Sequence, residues 1–277
     1  MHRLYRLAWQ SAMTDQQKTP TVEFTAMTIN VGNGQAPDDQ LIEALIAGDA
    51  DIVAMQELNQ RQAAFLQSAL ADHYPERYFF GDSYEGKGLL SRFPVTAAEP
   101  LNLVIGRPDV IARLDIAERQ VTAIVGHPMP PRIGRHGIVF GHRSRRHIVQ
   151  LGQRLHDASP AIMLGDFNMT PRHAAHARFR RLGLHDAFGE AGESRGATFP
   201  VRLGPVHGLG TMGKPGQAIS RLPLVPVVRY DYIWHTGEFE TVAAWIGPDA
   251  GSDHLPVMAR LRFHTDLGDD PTDHSGE

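Results

Sequence analysis

The tetrapeptide Gly165-Asp166-Phe167-Asn168 follows an apolar run, Ala161 to Leu164, that reads as a buried strand. Side chains alternate along extended chain, so a carboxylate and a carboxamide two residues apart project to the same side. The pair suits phosphate-ester hydrolysis. The carboxylate can orient or deprotonate a water while the amide NH2 donates to a developing phosphoryl oxygen. Alone, the pattern reads better as an Asx turn after a strand.

Four more segments change that reading. Met27 to Val31 is a strand-like run with the amide of Asn30 embedded in it, and Asp51 to Glu57 is a second run tipped by a carboxylate. Tyr230-Asp231-Tyr232-Ile233-Trp234 and Gly251-Ser252-Asp253-His254-Leu255-Pro256 follow downstream. Each is an apolar or aromatic run carrying Asn, Glu, Asp or His where a rigid scaffold can hold it. Glu57 is the best metal-ligand candidate, because a single strand-end carboxylate suits Mg2+ or Mn2+, hard ions that prefer oxygen. Asn30 follows an apolar strand and would be an unpaired buried amide unless a site used it. Asn33 competes for that role, although Gly32 and Gly34 beside it suggest a turn.

With these blocks the sequence resembles the endonuclease/exonuclease/phosphatase superfamily. The matching stretches are Thr28 to Asn30, Gln56-Glu57, Gly88 to Pro94, Gly165 to Asn168, Asp231 to Ile233 and Ser252 to Pro256, in family order across residues 24 to 263. The resemblance implies a four-layer αββα sandwich of two mixed sheets flanked by helices, as in DNase I. It implies a phosphoesterase dependent on Mg2+ or Mn2+, with Glu57, Asn30 and Asp253 at the metal. It also makes Asp166 the residue that orients or deprotonates the attacking water, and Asn168 the holder of the phosphoryl oxygen. His254 becomes a phosphate donor or base, its tautomer fixed by Asp231. Either Asp166 or His254 can be the base on this reading.

Two further residues carry over less directly. His127 closes the run Val121 to Gly126, where many family members have Thr-His and this chain has Gly126-His127. It reads as a second phosphate donor or as a solvated His in the turn Pro128-Met129-Pro130-Pro131. Tyr84 heads Tyr84-Glu85-Gly86-Lys87-Gly88-Leu89-Leu90-Ser91-Arg92, which is similar to the run of abasic-site endonucleases in which the Tyr contacts phosphate. A phenol can donate to an oxyanion without changing net charge.

The elements that must hold these groups alternate between short strands and amphipathic helices. Helices are expected from Asp38, as cap, to a stop at Gly48, and over about Gln62 to Ala71 with Phe65, Leu66 and Leu70 on one face. Two more are expected over about Ser144 to Leu155 and Pro171 to Leu182. Strands are expected at Tyr78 to Phe80, Gly88 to Ser91, Val110 to Ile116, Val121 to Val125, Tyr230 to Trp234, Thr241 to Ile246 and Pro256 to Phe263. Pattern alone supports mixed α/β. Residues 1–20 are expected to be a flexible arm, 21–264 the single domain and 265–277 a disordered acidic tail. Residues 202–228, dense in Gly and Pro, read as a long loop.

The 277 residues carry no Cys and a formal charge of −4. Thiolate chemistry and Cys-based zinc sites are therefore excluded, and global positive charge is no basis for holding nucleic acid. No apolar stretch is long enough for a signal or anchor, so a cytoplasmic, monomeric protein without membrane insertion is expected. The basic cluster Arg132, Arg135, His136, His142, Arg143, Arg145, Arg146 and His147 is either a clamp for an anionic substrate or a solvated helix start.

Three patterns are set aside. Gly208 to Lys214 resembles a phosphate loop, but no strand leads into it and Pro215 stands where Ser or Thr is needed. His173 and His176 lack a third ligand and are expected to be exposed, and Ser91 lacks a nucleophile elbow. The leading reading is water attack on a phosphodiester, a small diester or lipid head group being favoured over duplex DNA because the chain is acidic. A DNA endonuclease or exonuclease of the abasic-site type is the alternative. A non-catalytic binding domain on the same scaffold is a third.

Overall fold

The computed structural model describes residues 22–135, 137–202 and 222–264. The expected arm, the acidic tail and the Gly208 to Lys214 stretch lie outside the described residues. The first half of the chain forms β1 (Glu23–Asn30), α1 (Asp38–Gly48), β2 (Ile52–Gln56), α2 (Gln60–Ala69), β3 (Glu76–Phe80), β4 (Lys87–Ser91), β5 (Val95–Leu101), β6 (Asp109–Ile116) and β7 (Arg119–Gly126). A small hairpin, β8 (Arg132–Gly134) and β9 (Gly137–Val139), leads to α3 (His142–His156) and β10 (Ala161–Asp166). Then come α4 (Ala174–Arg181), β11 (His185–Asp186), α5 (Ala187–Ala191), β12 (Asp231–His235), β13 (Phe239–Ile246) and β14 (Val257–Phe263).

The strands make two six-stranded mixed sheets, ordered β13-β14-β1-β2-β4-β3 and β11-β12-β10-β7-β6-β5. Both sheets are covered on both faces, which is why their central strands read as continuous apolar runs. Alternation sorts the side chains. Ala26, Ile52, Ala54, Val125, Ile162, Leu164 and Ile233 fill the space between the sheets. Met27, Ile29, Val53 and Met55 turn outward onto Leu41, Leu45, Leu66 and Leu70 of the α1–α2 side. Ile124, Met163 and Trp234 turn the other way, onto Ile148, Leu151, Leu155 and Phe179 of α3 and α4. Each fully buried Ile or Leu contributes roughly 1.5–3 kcal/mol. The four-layer αββα sandwich implied by the resemblance is the fold observed.

Several local expectations need correction. Asp38 is the first residue of α1, not its cap; Pro37 precedes it in extended conformation, and Gly48 stays helical while Asp49, at φ 48°, turns the chain out. α2 starts earlier than expected because the Asn59 side chain accepts from Gln62 N. Phe65 is exposed, so the buried stripe is Leu66 and Leu70. α4 starts later than expected, since His173 caps it by accepting from Ala175 N. The unforeseen β5 is a sheet edge of mixed polarity containing Pro100, a position where a missing N–H is tolerated. Among the described residues no helix is long and apolar enough to cross a membrane.

Candidate active site

Strand parity brings the polar groups together. Asn30 shares the face of Ala26 on β1, and Asp166 shares the face of Ile162 and Leu164 on β10. Both therefore point into the inter-sheet space, at its rim. Asn30 Nδ2 donates to Asp166 Oδ2 at 3.0 Å and to Glu57 Oε1 at 3.1 Å. Its carbonyl oxygen accepts from Gly32 N at 2.9 Å. Asn30 is thus a bridge between two carboxylates from different sheets. Glu57 and Asn168, one and two residues beyond their strands, have left-handed φ values of 57° and 52°. Such backbone costs about 1–2 kcal/mol per non-Gly residue and persists where the surroundings enforce it. Asn168 is held from both ends: its N–H donates to Asp166 Oδ1 at 2.7 Å and its Nδ2 to Pro128 O at 3.1 Å.

On one side of Asp166 lies His254. Its Nδ1 is 2.9 Å from Asp231 Oδ2 and its Nε2 is 3.7 Å from Asp166 Oδ2. Among the described residues, Asp166, Asp231 and His254 are the group whose ligand-type atoms all lie within 4.8 Å of one another. Burial opposes a charged imidazole, but the Asp231 and Asp166 carboxylates outweigh it and raise His254. The unit is a histidine held between two aspartates. Burial likewise raises Asp166, against the pull of His254, and burial more than Asp253 raises Glu57. Phe199 packs on His254 with ring centroids 4.7 Å apart and stacks on Tyr230 at 5.5 Å.

On the other side lies His127, 1% exposed. Its Nε2 has no hydrogen-bond partner and stands 3.6 Å from Glu57 Oε1 and 3.7 Å from Asp166 Oδ2. Burial first, then Arg107 and Lys87, hold this imidazole well below its usual range, and its ring bonds the Tyr84 carbonyl. Its Nδ1 stands 3.5 Å from Arg107 Nη2. Arg107 Nε donates to His127 O at 3.1 Å and its Nη2 to Tyr84 O at 3.3 Å. Lys87, buried in β4, donates to the Pro108 and Glu85 carbonyls, and burial lowers it to about 8.

The sequence matches the model of the Endonuclease/Exonuclease/phosphatase family over residues 27–254. The chain belongs to that family. Solved structures agree with the fold. The chain is similar to an endonuclease/exonuclease/phosphatase from Beutenbergia cavernae, with TM-score 0.62, 19% identity, and 87% of this chain and 72% of that one covered. It is also similar to D. rerio TDP2 in complex with a single-strand DNA product, with TM-score 0.63, 16% identity, and 86% and 98% covered. A third is a family protein from Bacteroides vulgatus, with TM-score 0.61, 18% identity, and 87% and 99% covered. No curated protein sequence matches the chain.

Within this family member, Asn30, Glu57, His127, Asp166, Asn168, Asp231 and His254 converge on one cluster. Asp253 adjoins it, its carboxylate acting on both Glu57 and His254. Tyr84 is different. The residue is 56% exposed, and its carbonyl makes the contacts with Arg107 and His127. Contrary to expectation His176 is buried and bonded to Asp186. The basic cluster divides: Arg143, Arg145 and Arg146 face solvent, whereas Ser144 and His147 are buried. Sequence reasoning missed Arg107, Asp109, Phe199 and Tyr230. For His147 a signal existed, since Ser144, His147, Ile148, Leu151 and Leu155 follow the helical spacing of a buried face.

Proposed function

We propose that this protein hydrolyses phosphodiesters, with a small diester or a lipid head group as preferred substrate, by direct attack of water on phosphorus in the presence of Mg2+ or Mn2+. The observation that carries the reading is the shared Asn30 amide, which holds Glu57 of one sheet and Asp166 of the other beside two imidazoles. The residues fit a hard divalent cation. Glu57, Asp166, Asp231 and Asp253 gather oxygen donors, and burial, which raises Glu57 and Asp166, disfavours leaving their charge without a cation. Glu57 and Asp253 would hold it. Asn30 Nδ2 is committed to the two carboxylates, while its carbonyl oxygen accepts one bond from Gly32 N and keeps a second lone pair for the ion. When bound, the ion polarises a phosphoryl oxygen and stabilises the leaving alkoxide.

The chain's own groups divide the remaining work. Asp166 Oδ2 orients the attacking water and can take its proton. His254, fixed by Asp231, donates from Nε2 to the phosphoryl oxygen. Asn168 offers its second amide hydrogen to the same charge. His127, the second phosphate donor its sequence position suggests, presents Nε2 to the same site. No covalent intermediate is required.

Nucleic acid is the second reading. A cavity of about 360 Å³ beside the Pro128 turn is lined by Met129, Pro130, Arg132, Val139, His142 and Arg143 with no acidic residue, and could take a further phosphate. The complex of the similar D. rerio TDP2 fold with a single-strand DNA product gives this reading a place in the test. A hydrolysis panel decides. Bis-p-nitrophenyl phosphate, sphingomyelin, inositol phosphates, plasmid DNA and an abasic duplex are offered with Mg2+ or Mn2+. The preferred reading expects the highest kcat/KM on a small diester or lipid. Far better cleavage of DNA replaces it with the second, and no metal-dependent turnover on any substrate leaves the binding-domain reading.

A further inference from the structure

His127 must be held accurately, yet the chain that carries it leaves the sheet at Gly126 and enters a stretch with Pro at 128, 130 and 131. Proline donates no backbone hydrogen bond, so the sheet ladder cannot define this segment. Side chains define it. His127 N donates to Asp109 Oδ1 at 3.1 Å, Pro128 O accepts from Asn168 Nδ2 at 3.1 Å, and Met129 O accepts from Ser144 Oγ at 2.8 Å. Three consecutive residues are gripped through the main chain.

Asp109 is itself held from behind. Its other oxygen, Oδ2, lies 2.5 Å from His147 Nε2, and the exposures of the two residues are 0% and 1%. A lone pair facing a carboxylate would be repelled, so Nε2 carries the proton and donates. Neither residue contacts Glu57, Asp166 or His254. A buried carboxylate bonded to a buried histidine is costly to assemble and strongly destabilising to break, and this pair ends on the amide of a residue in the candidate site.

We propose that Asp109 and His147 form a positioning unit for this site: His147 fixes the Asp109 carboxylate, Asp109 fixes the His127 amide, and His127 Nε2 is thereby kept between Glu57 and Asp166. The proposal rests on the phosphodiesterase reading of the site. It makes α3, which contributes Ser144 and His147 one turn apart, the support of the 127–129 wall. The two buried residues are positioning residues and touch no substrate.

The test is a double-mutant cycle on bis-p-nitrophenyl phosphate with Mn2+, combining His147→Ala, His147→Gln and Asp109→Asn with His127→Ala. His147→Ala is expected to lower kcat about tenfold with KM within about twofold, and His147→Gln, which keeps a donor for Asp109, to recover most of it. In the His127→Ala background His147→Ala should cause no further loss. Equal losses in both backgrounds, or none in the parent, overturn the proposal. Should His147→Ala not fold, Asp109→Asn takes its place in the same cycle with the same expectation. Hydrogen exchange of the His127 amide separates failure of this proposal from failure of the functional reading. The amide should exchange at least about tenfold faster in His147→Ala or Asp109→Asn than in the parent and His147→Gln. Unchanged exchange sinks the positioning role even in a protein that hydrolyses nothing.

Discussion

The amide of Asn30 reaches Asp166, 136 positions later in the chain and on the other sheet, at 3.0 Å. The same nitrogen donates to Glu57, so one NH2 ties the two sheets together at the rim where the carboxylates meet. Asn30→Ala should lower kcat at least about tenfold and, by stripping a donor from the buried Asp166 and the half-buried Glu57, cost roughly 1–3 kcal/mol in chelator. Asn30→Asp should be less stable still without metal, with Mg2+ or Mn2+ restoring part of the loss. Urea unfolding with and without the ion measures both, and an Asn30→Asp protein as stable as the parent in chelator contradicts the bridge.

Chelation should abolish turnover, and Mg2+ or Mn2+ should restore it. A cation that binds the folded state raises Tm with concentration, about 2.7 kcal/mol at a hundredfold excess over Kd. Glu57→Gln should flatten that rise. Thermal unfolding across a metal titration checks it, and full activity after exhaustive chelation removes the metal from the mechanism.

Asp166→Asn should keep the fold and reduce kcat by roughly 10²-fold or more, since the carboxylate that handles the water is gone. His254→Ala should do the same, because its Nε2 stands beside Asp166. Steady-state kinetics on the best substrate of the panel decide. Near-parental rates in both variants would mean that the chemistry happens elsewhere.

Tyr84→Phe should leave hydrolysis of small diesters within about twofold, because the residue is exposed and the site meets the Tyr84 carbonyl, which the substitution retains. A large loss on bis-p-nitrophenyl phosphate would place the hydroxyl at the reacting phosphate.

Acid should weaken the Asp186 cluster. Burial opposes its charge, but the bidentate bonds from Arg229 and the bond from His176 hold the carboxyl down at about 2. The unfolded chain takes up this proton near pH 4 and the folded protein near pH 2, so the stabilisation is complete above pH 4 and is lost as pH falls from 4 to 2. The linkage is worth about 2 kcal/mol. Chemical denaturation at stepped pH measures the slope, and Asp186→Asn should lessen it. An unchanged slope would assign acid lability to other groups.

Much of the site was legible because its residues sit at strand ends, where a period-two pattern reports which face a side chain takes. Asn30, Glu57, Asp166, Asn168, Asp231, Asp253 and His254 could be named from short runs, each with an apolar partner segment. The family and its sandwich followed from the order of those blocks. The parts that resisted reading are long-range. Arg107 and Asp109 flank a proline before β6 and look like loop polarity until β6 and β7 pair and bring them under His127. His147 hides among the arginines of one helix, and only the packing of α3 on the second sheet turns it inward while they stay in water. Tyr84 matched a family run by letters, and only the fold shows that it is exposed while its carbonyl accepts from Arg107. The sequence alone determined the chemical groups and the strands that present them, since residue type and alternation are local properties. Tertiary structure decided who holds whom, because partners from 18 to 136 positions away set that.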